Sequence, residues 1–171
     1  ASRVFGPQKG ASAQDVEVLE ESLRGYALKI MEDTGIDVSN LAGAGAAGGL
    51  GGAFRAYLGA ELKRGVDLVL DQIDFDSAIE GADLVITGEG CSDYQTLKGK
   101  TAAGVLERAK RKGIPVMLVS GAIRDGQMLR DGGFGIIAAA SPKEMSLAEA
   151  MRPETAEHNI YETVKRLLTN E

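Results

Sequence analysis

Three apolar stretches limit what this chain can fold into: Ala82 to Thr87 (ADLVIT), Ile114 to Ser120 (IPVMLVS) and Phe134 to Ala140 (FGIIAAA). The last two run without period-two alternation, and the first offers little polar relief. Strands of that kind are covered on both faces, as in a parallel sheet. Between them the pattern turns helical. Thr101 to Lys112 puts Val105, Leu106 and Ala109 on one side and stops at Gly113 and Pro115. Asp125 to Asp131 supplies a second crossover helix. Ser146 with Glu149, followed by Pro153, opens a closing helix to Leu168. Val66 to Leu70 is expected as one more short strand, and Phe75 to Glu80 as a helical turn. From Val66 onward strand and helix therefore alternate four times, which predicts an α/β fold with a parallel sheet.

The first third reads differently. Val4 to Gly10 (VFGPQKG) is a loop presenting Gln8 and Lys9. Ser12 and Asp15 have capping-box spacing, and Val16, Leu19, Leu23, Tyr26, Ala27 and Ile30 fall at helical intervals before a stop at Gly35. Gly43 to Gly48 (GAGAAG) matches GxGxxG, a dinucleotide fingerprint only when a strand precedes it and an acidic residue follows ~20 positions on. Asp67 and Asp71 lie in that range, but Asp37 to Ala42 is a poor strand. Two other readings stay open: small residues for tight helix packing, or free amides at Gly45 to Gly48 that bind an anion. A helix over Gly49 to Gly59 is expected to turn Leu50, Phe54, Tyr57 and Leu58 inward.

The richest chemistry follows the Ala82 to Thr87 run. A Gly88-Glu89-Gly90 turn leads into a polar loop with Asp93, Gln95, Thr96, Lys98 and Lys100, and a helix begins directly after it. In open α/β sheets ligands gather beyond the carboxyl ends of strands. Gly99-Lys100-Thr101 resembles the end of a P-loop, yet Tyr94 occupies the position of its first glycine, so that motif fails. Its physics survives in part, because a lysine beside free helix amides favours phosphate. Glu89 and Asp93 could share Mg²⁺ with substrate phosphates, or one could deprotonate a hydroxyl. Asp93 could equally cap the loop through backbone amides. Cys91 has no histidine near it in sequence to activate it, and His158 reads as a surface residue of the last helix.

Several classes are disfavoured. A net charge of −6 and a pI near 4.9 do not suit a nucleic-acid backbone. No apolar run approaches the ~18 residues of a membrane span, and no signal-peptide pattern opens the chain. The single cysteine excludes an internal disulfide and a cysteine metal cage. A cytoplasmic location is expected. The start at Ala1-Ser2, without methionine, reads as a piece of a longer protein.

Four segments in order then carry a resemblance: VFGPQKGAS at 4–12, LAGAGAAGGLGGAFRAYLGAEL at 41–62, GADLVITGEG at 81–90 and QTLKGK at 95–100. Together with Pro142, Met145 and Ser146 to Ala150, they closely resemble the bacterial glycerate kinases of the first type. The resemblance implies ATP-dependent phosphorylation of D-glycerate to 2-phosphoglycerate. It also implies a flavodoxin-like domain with a second α/β domain inserted, and an active site in the cleft between them. On that pattern residues 1–75 belong to the inserted domain and 76–171 to the flavodoxin-like one. Glu89, Asp93 and Lys100 are then the candidate catalytic residues, with Glu89 and Asp93 for Mg²⁺. Gln8, Lys9, Gly45, Gly48, Gly88, Gly90, Gln95, Thr96 and Lys98 are the candidates for binding substrate or phosphate.

The chain departs from the family where an arginine usually follows TGEG and a small residue precedes QT; Cys91 and Tyr94 stand there. Arg-to-Cys removes a fixed charge and a bidentate phosphate clamp. Family members are about twice as long, so an N-terminal half is the expected partner. An unpaired sheet edge would otherwise favour self-association. The rival reading is a non-catalytic α/β module binding a phosphorylated metabolite or nucleotide. A dinucleotide enzyme built on Gly43 to Gly48 comes third.

Overall fold

The computed structural model describes residues 1–169. The chain divides into two compact units, Ala1–Arg64 and Gly65–Glu171.

The first unit contains no strand among its described residues. Its elements are α1 (Ser2–Phe5), a 3-10 turn at Pro7–Lys9, α2 (Ala13–Thr34), a 3-10 turn at Ala46–Gly49 and α3 (Leu50–Leu58). The capping box opens α2 as its spacing predicts. The Asp15 amide donates to Ser12 Oγ at 3.2 Å, and the Ser12 amide donates to the Asp15 carboxylate at 2.9 Å. The Ser12 hydroxyl, which donates to Asp15 Oδ2 at 2.6 Å, and after it the Ser12 amide hold the Asp15 carboxyl below its ordinary range. Helix α3 corrects the sequence reading. Leu50, Phe54, Tyr57 and Leu58 are exposed, and the buried face is Gly51 and Gly52. A side chain at Gly51 would collide with the Gly43 carbonyl oxygen, so backbone-to-backbone approach decides which face turns in.

Val66 to Leu70 is not a strand; it lies in α4 (Gly65–Gln72). Five apolar-rich residues are too few to separate the two periods, and the side chains settle the matter at i,i+4 spacing. Val66 packs onto Gly104 and Leu70 is buried, while Leu68 and Val69 face solvent. Asp67 and Asp71, one turn apart, both reach Arg108. Asp76, in α5 (Phe75–Ala78), accepts from Arg108 Nη1 at 2.8 Å. Bonds from Asp71 first, then Asp76, hold the Arg108 guanidinium above its already high pKa. This one arginine thus fastens α4 and α5 to the next helix.

The sheet is parallel, in the order β1 (Val85–Thr87), β3 (Val116–Ser120), β5 (Ile136–Ala139). Each strand is shorter than its apolar run. Helix α6 (Thr101–Arg111) connects β1 to β3, α7 (Gly126–Gly132) connects β3 to β5, and α8 (Leu147–Ala150) and α9 (Pro153–Thr169) close the chain. All five residues of β3 are buried. Val116 and Leu118 face a core with Val105, Leu106, Ala109, Leu129 and Phe134. Met117 and Val119 face the other side, against Val164 and Leu167 of α9. Cover on both faces explains the missing alternation. The row Ile86–Met117–Ile136 crosses that second face in register, and its outer members stay 45% and 40% exposed. Two short segments, β2 (Cys91–Ser92) and β4 (Ala122–Ile123), pair in parallel in a second sheet. Among the described residues no helix is long and apolar enough to cross a membrane.

Candidate active site

Beyond the carboxyl ends of β1 and β3 the chain makes two neighbouring excursions. The β2–β4 pairing joins them, with Gly121 N–H donating to the Glu89 carbonyl at 3.2 Å and Arg124 N–H to the Ser92 carbonyl at 2.8 Å. The approach is so close that a Cβ at Gly88 would strike the Val119 carbonyl oxygen. Only glycine turns the chain there.

The approach brings a half-buried carboxylate onto buried hydroxyls. Ser92 Oγ donates to Glu89 Oε1 at 2.9 Å, and Thr96 Oγ1 donates to the same oxygen. Ser92 Oγ also lies 2.6 Å from Ser120 Oγ, at the end of β3. Ser92 and Thr96 are fully buried and Ser120 is 2% exposed. Burying hydroxyls is costly unless they are bonded, so a set like this holds one geometry.

Asp93 does the capping work open to it in the sequence. Its Oδ1 accepts from the Gln95 amide at 2.8 Å, and its own amide donates to Thr96 Oγ1 at 3.1 Å. Among the described residues nothing bonds Asp93 Oδ2 or Glu89 Oε2. Capping and ligand work are therefore compatible in Asp93.

The lysines behave unequally. Lys98 places its ammonium 5.4 Å from the Tyr94 ring centroid, within cation–π range. Gln95 Nε2 donates to the Tyr94 hydroxyl at 3.3 Å, and the Tyr94 amide donates to Asp125 Oδ2 at 3.4 Å. Tyr94 is thus the piece around which Lys98 and Gln95 gather. Lys100 is the N-cap residue of α6, extended and exposed, and among the described residues its ammonium has no acceptor. Gly90 is exposed in the turn, and Cys91 is half-buried in β2. His158 is exposed on α9, as expected.

Glu89, Asp93, Gln95, Thr96, Lys98 and Lys100 thus share one loop of the second unit. Lys9, Gly45 and Gly48 belong to the first unit, where they line a cavity of about 1130 Å³ together with Leu19, Leu23 and Tyr26. The Gln8 side chain lies outside the described residues. The dinucleotide reading of Gly43 to Gly48 fails, because no strand precedes it among the described residues. Sequence reasoning missed Ser92 and Ser120. The available signal was Ser120 as the one polar residue closing an apolar strand at its carboxyl end.

A model of the glycerate kinase family matches residues 1–170. A glycerate kinase of Bacillus cereus is 43% identical over 168 residues, covering 98% of this chain and 44% of that protein. A glycerate 2-kinase of Escherichia coli K12 is 45% identical over 125 residues, covering 73% of this chain and 33% of that protein. A crystal structure from Salmonella typhimurium LT2, provisionally named glycerate kinase 2, is 37% identical with a TM-score of 0.59. It is matched over 99% of this chain and 45% of its own. The chain spans less than half the length of the curated relatives it matches.

Proposed function

Since the chain belongs to the glycerate kinase family, we propose that it supplies part of the site where ATP phosphorylates D-glycerate to 2-phosphoglycerate. The observation that carries this reading is the Gly88–Lys100 loop. A carboxylate locked on buried hydroxyls, a second carboxylate and an uncommitted lysine belong to one loop beyond a strand end, which leads into the start of α6. In phosphoryl transfer the protein chiefly positions groups and neutralises charge. Lys100 and the first amides of α6 bind the phosphate being transferred. Gly88 and Gly90 keep the approach open to it, and Lys98 and Gln95, gathered on Tyr94, flank the anion. Thr96 acts through Glu89.

Magnesium suits these residues. Hard carboxylate oxygens are its usual protein ligands, and Glu89 and Asp93 each keep one oxygen that no described residue bonds. Those two would hold it, and the ion would neutralise charge on the phosphates. In the first unit, Lys9, Gly45 and Gly48 belong to the same enzyme's substrate-binding apparatus, as does Gln8. The reading also assigns residues 1–75 to an inserted domain and 76–171 to a flavodoxin-like one. The remaining half of the protein then pairs with the outer edges of the β1–β3–β5 sheet, which the exposed Ile86 and Ile136 support.

The test is glycerate-dependent ADP release, with the product identified by nuclear magnetic resonance. The chain alone should be inactive, and should sediment as a self-associated species or with its other half. Joined to the remaining part of the Bacillus cereus relative, it should form 2-phosphoglycerate. Phosphate or nucleotide binding without turnover in the joined protein would instead favour the non-catalytic module.

A further inference from the structure

The hydroxyls around Glu89 have only one possible direction. A carboxylate oxygen accepts and never donates. Ser92 has a single hydroxyl hydrogen, and its bond to Glu89 Oε1 commits it. The 2.6 Å contact between Ser92 Oγ and Ser120 Oγ must therefore be donated by Ser120. Thr96 closes the arrangement from the other side, donating to Oε1 while accepting the Asp93 amide. A directed chain runs from Ser120 through Ser92 to Glu89. It starts on β3, the central strand whose every residue is buried, and crosses 28 residues of sequence to reach the loop.

All the donors converge on Oε1, and among the described residues none reaches Oε2. We propose that Ser92, Ser120 and Thr96 are positioning residues that fix Glu89 so that Oε2 is the oxygen presented to a divalent cation. The inference rests on the assignment of Glu89 as a cation ligand and deepens it. Without the hydroxyls the carboxylate could turn about its terminal torsion, which is broad and two-fold. Mg²⁺-type ions demand near-ideal ligand geometry, so such turning is costly. Groups that orient a ligand from behind commonly change metal affinity 10- to 100-fold.

Manganese(II) alone is the probe, titrated into the full 171-residue chain and followed by paramagnetic broadening of the amide signals from Glu89 to Asp93. Thermal melting of every variant checks the fold. Thr96→Ala should raise the apparent Kd about tenfold, whereas Thr96→Ser, which keeps the hydroxyl, should bind like the parent. Ser92→Ala should weaken binding by at least as much, and Ser120→Ala by less, because it acts one bond further away. Should Ser92→Ala fail to fold, the Thr96 pair answers the question alone. Wild-type affinity in Thr96→Ala and Ser92→Ala, with Glu89→Gln impaired, overturns the positioning role and leaves Glu89 a ligand. Equal weakening in Thr96→Ala and Thr96→Ser also overturns it, since the methyl group would then matter and not the hydroxyl. Unchanged binding in Glu89→Gln removes the ligand assignment itself. The kinase reading stands or falls separately, on ADP release.

Discussion

The two glycine-rich segments of this chain, 43–52 in the first unit and 88–90 in the second, put the same residue to different uses. At Gly51 the missing side chain lets α3 settle on the Gly43 carbonyl, and the helix turns its large apolar residues outward. At Gly88 the missing side chain lets a loop pass the end of β3, and polar side chains converge behind it. The first use produces packing. The second produces a carboxylate with a fixed orientation. Glycine content alone therefore says little about a ligand site; what the neighbouring side chains do with the space decides.

The sharpest way to break this contrast is to fill the space. Gly88→Ala should cost about 3 kcal/mol in chemical denaturation, at the upper end for overpacking, since the obstacle is the Val119 backbone carbonyl. Gly48→Ala should cost only about 1 kcal/mol, the penalty of a left-handed conformation, because a methyl there meets open space at φ 68°. Equal losses would mean that the Gly88 turn can relax around the added methyl group.

A smaller effect separates capping from chemistry in the same loop. Asp93→Asn keeps an acceptor for the Gln95 amide but removes the charge. Turnover of the joined protein should fall about tenfold, ~1.4 kcal/mol on the rate scale, with no change in melting temperature. Activity within about threefold of the parent would leave Asp93 a cap only.

The smallest effect belongs to the first unit, whose best local bonds are structural. Ser12→Ala should destabilise it by about 1 kcal/mol, the usual cost of a lost N-cap hydroxyl. The Asp15 carboxyl is depressed in the folded state by its Ser12 bonds. Its stabilisation is therefore complete above the unfolded carboxyl pKa and disappears as pH falls through the lower folded value. The Ser12→Ala deficit, read from melting curves, should be largest near neutrality and shrink toward pH 3.

Much of the fold was legible in the sequence because its signals are local. Uninterrupted apolar runs marked the three strands of the sheet, Ser12 and Asp15 marked the start of α2, and Pro153 marked the start of α9. Val66 to Leu70 was misread because five residues do not fix a period, and the deciding partners, Gly104 and Arg108, lie far along the chain. The inward face of α3 was misread because backbone approach at Gly51 outweighs the side-chain pattern. At the candidate site the sequence offered the carboxylates and lysines, but not Ser92 bonded to Ser120. A serine pair 28 residues apart leaves no trace in spacing, and only the side-by-side excursions after β1 and β3 create it.

On the proposed function, the loop from Gly88 to Lys100 handles the phosphate of a glycerate kinase reaction. Lys100→Ala tests it most directly, because this side chain is exposed and bonds nothing described, so its loss leaves the fold alone. The measurement is ADP release by the joined protein at saturating ATP and glycerate, with the melting temperature recorded alongside. Turnover should fall about 100-fold at an unchanged melting temperature. Wild-type turnover under those conditions would contradict it.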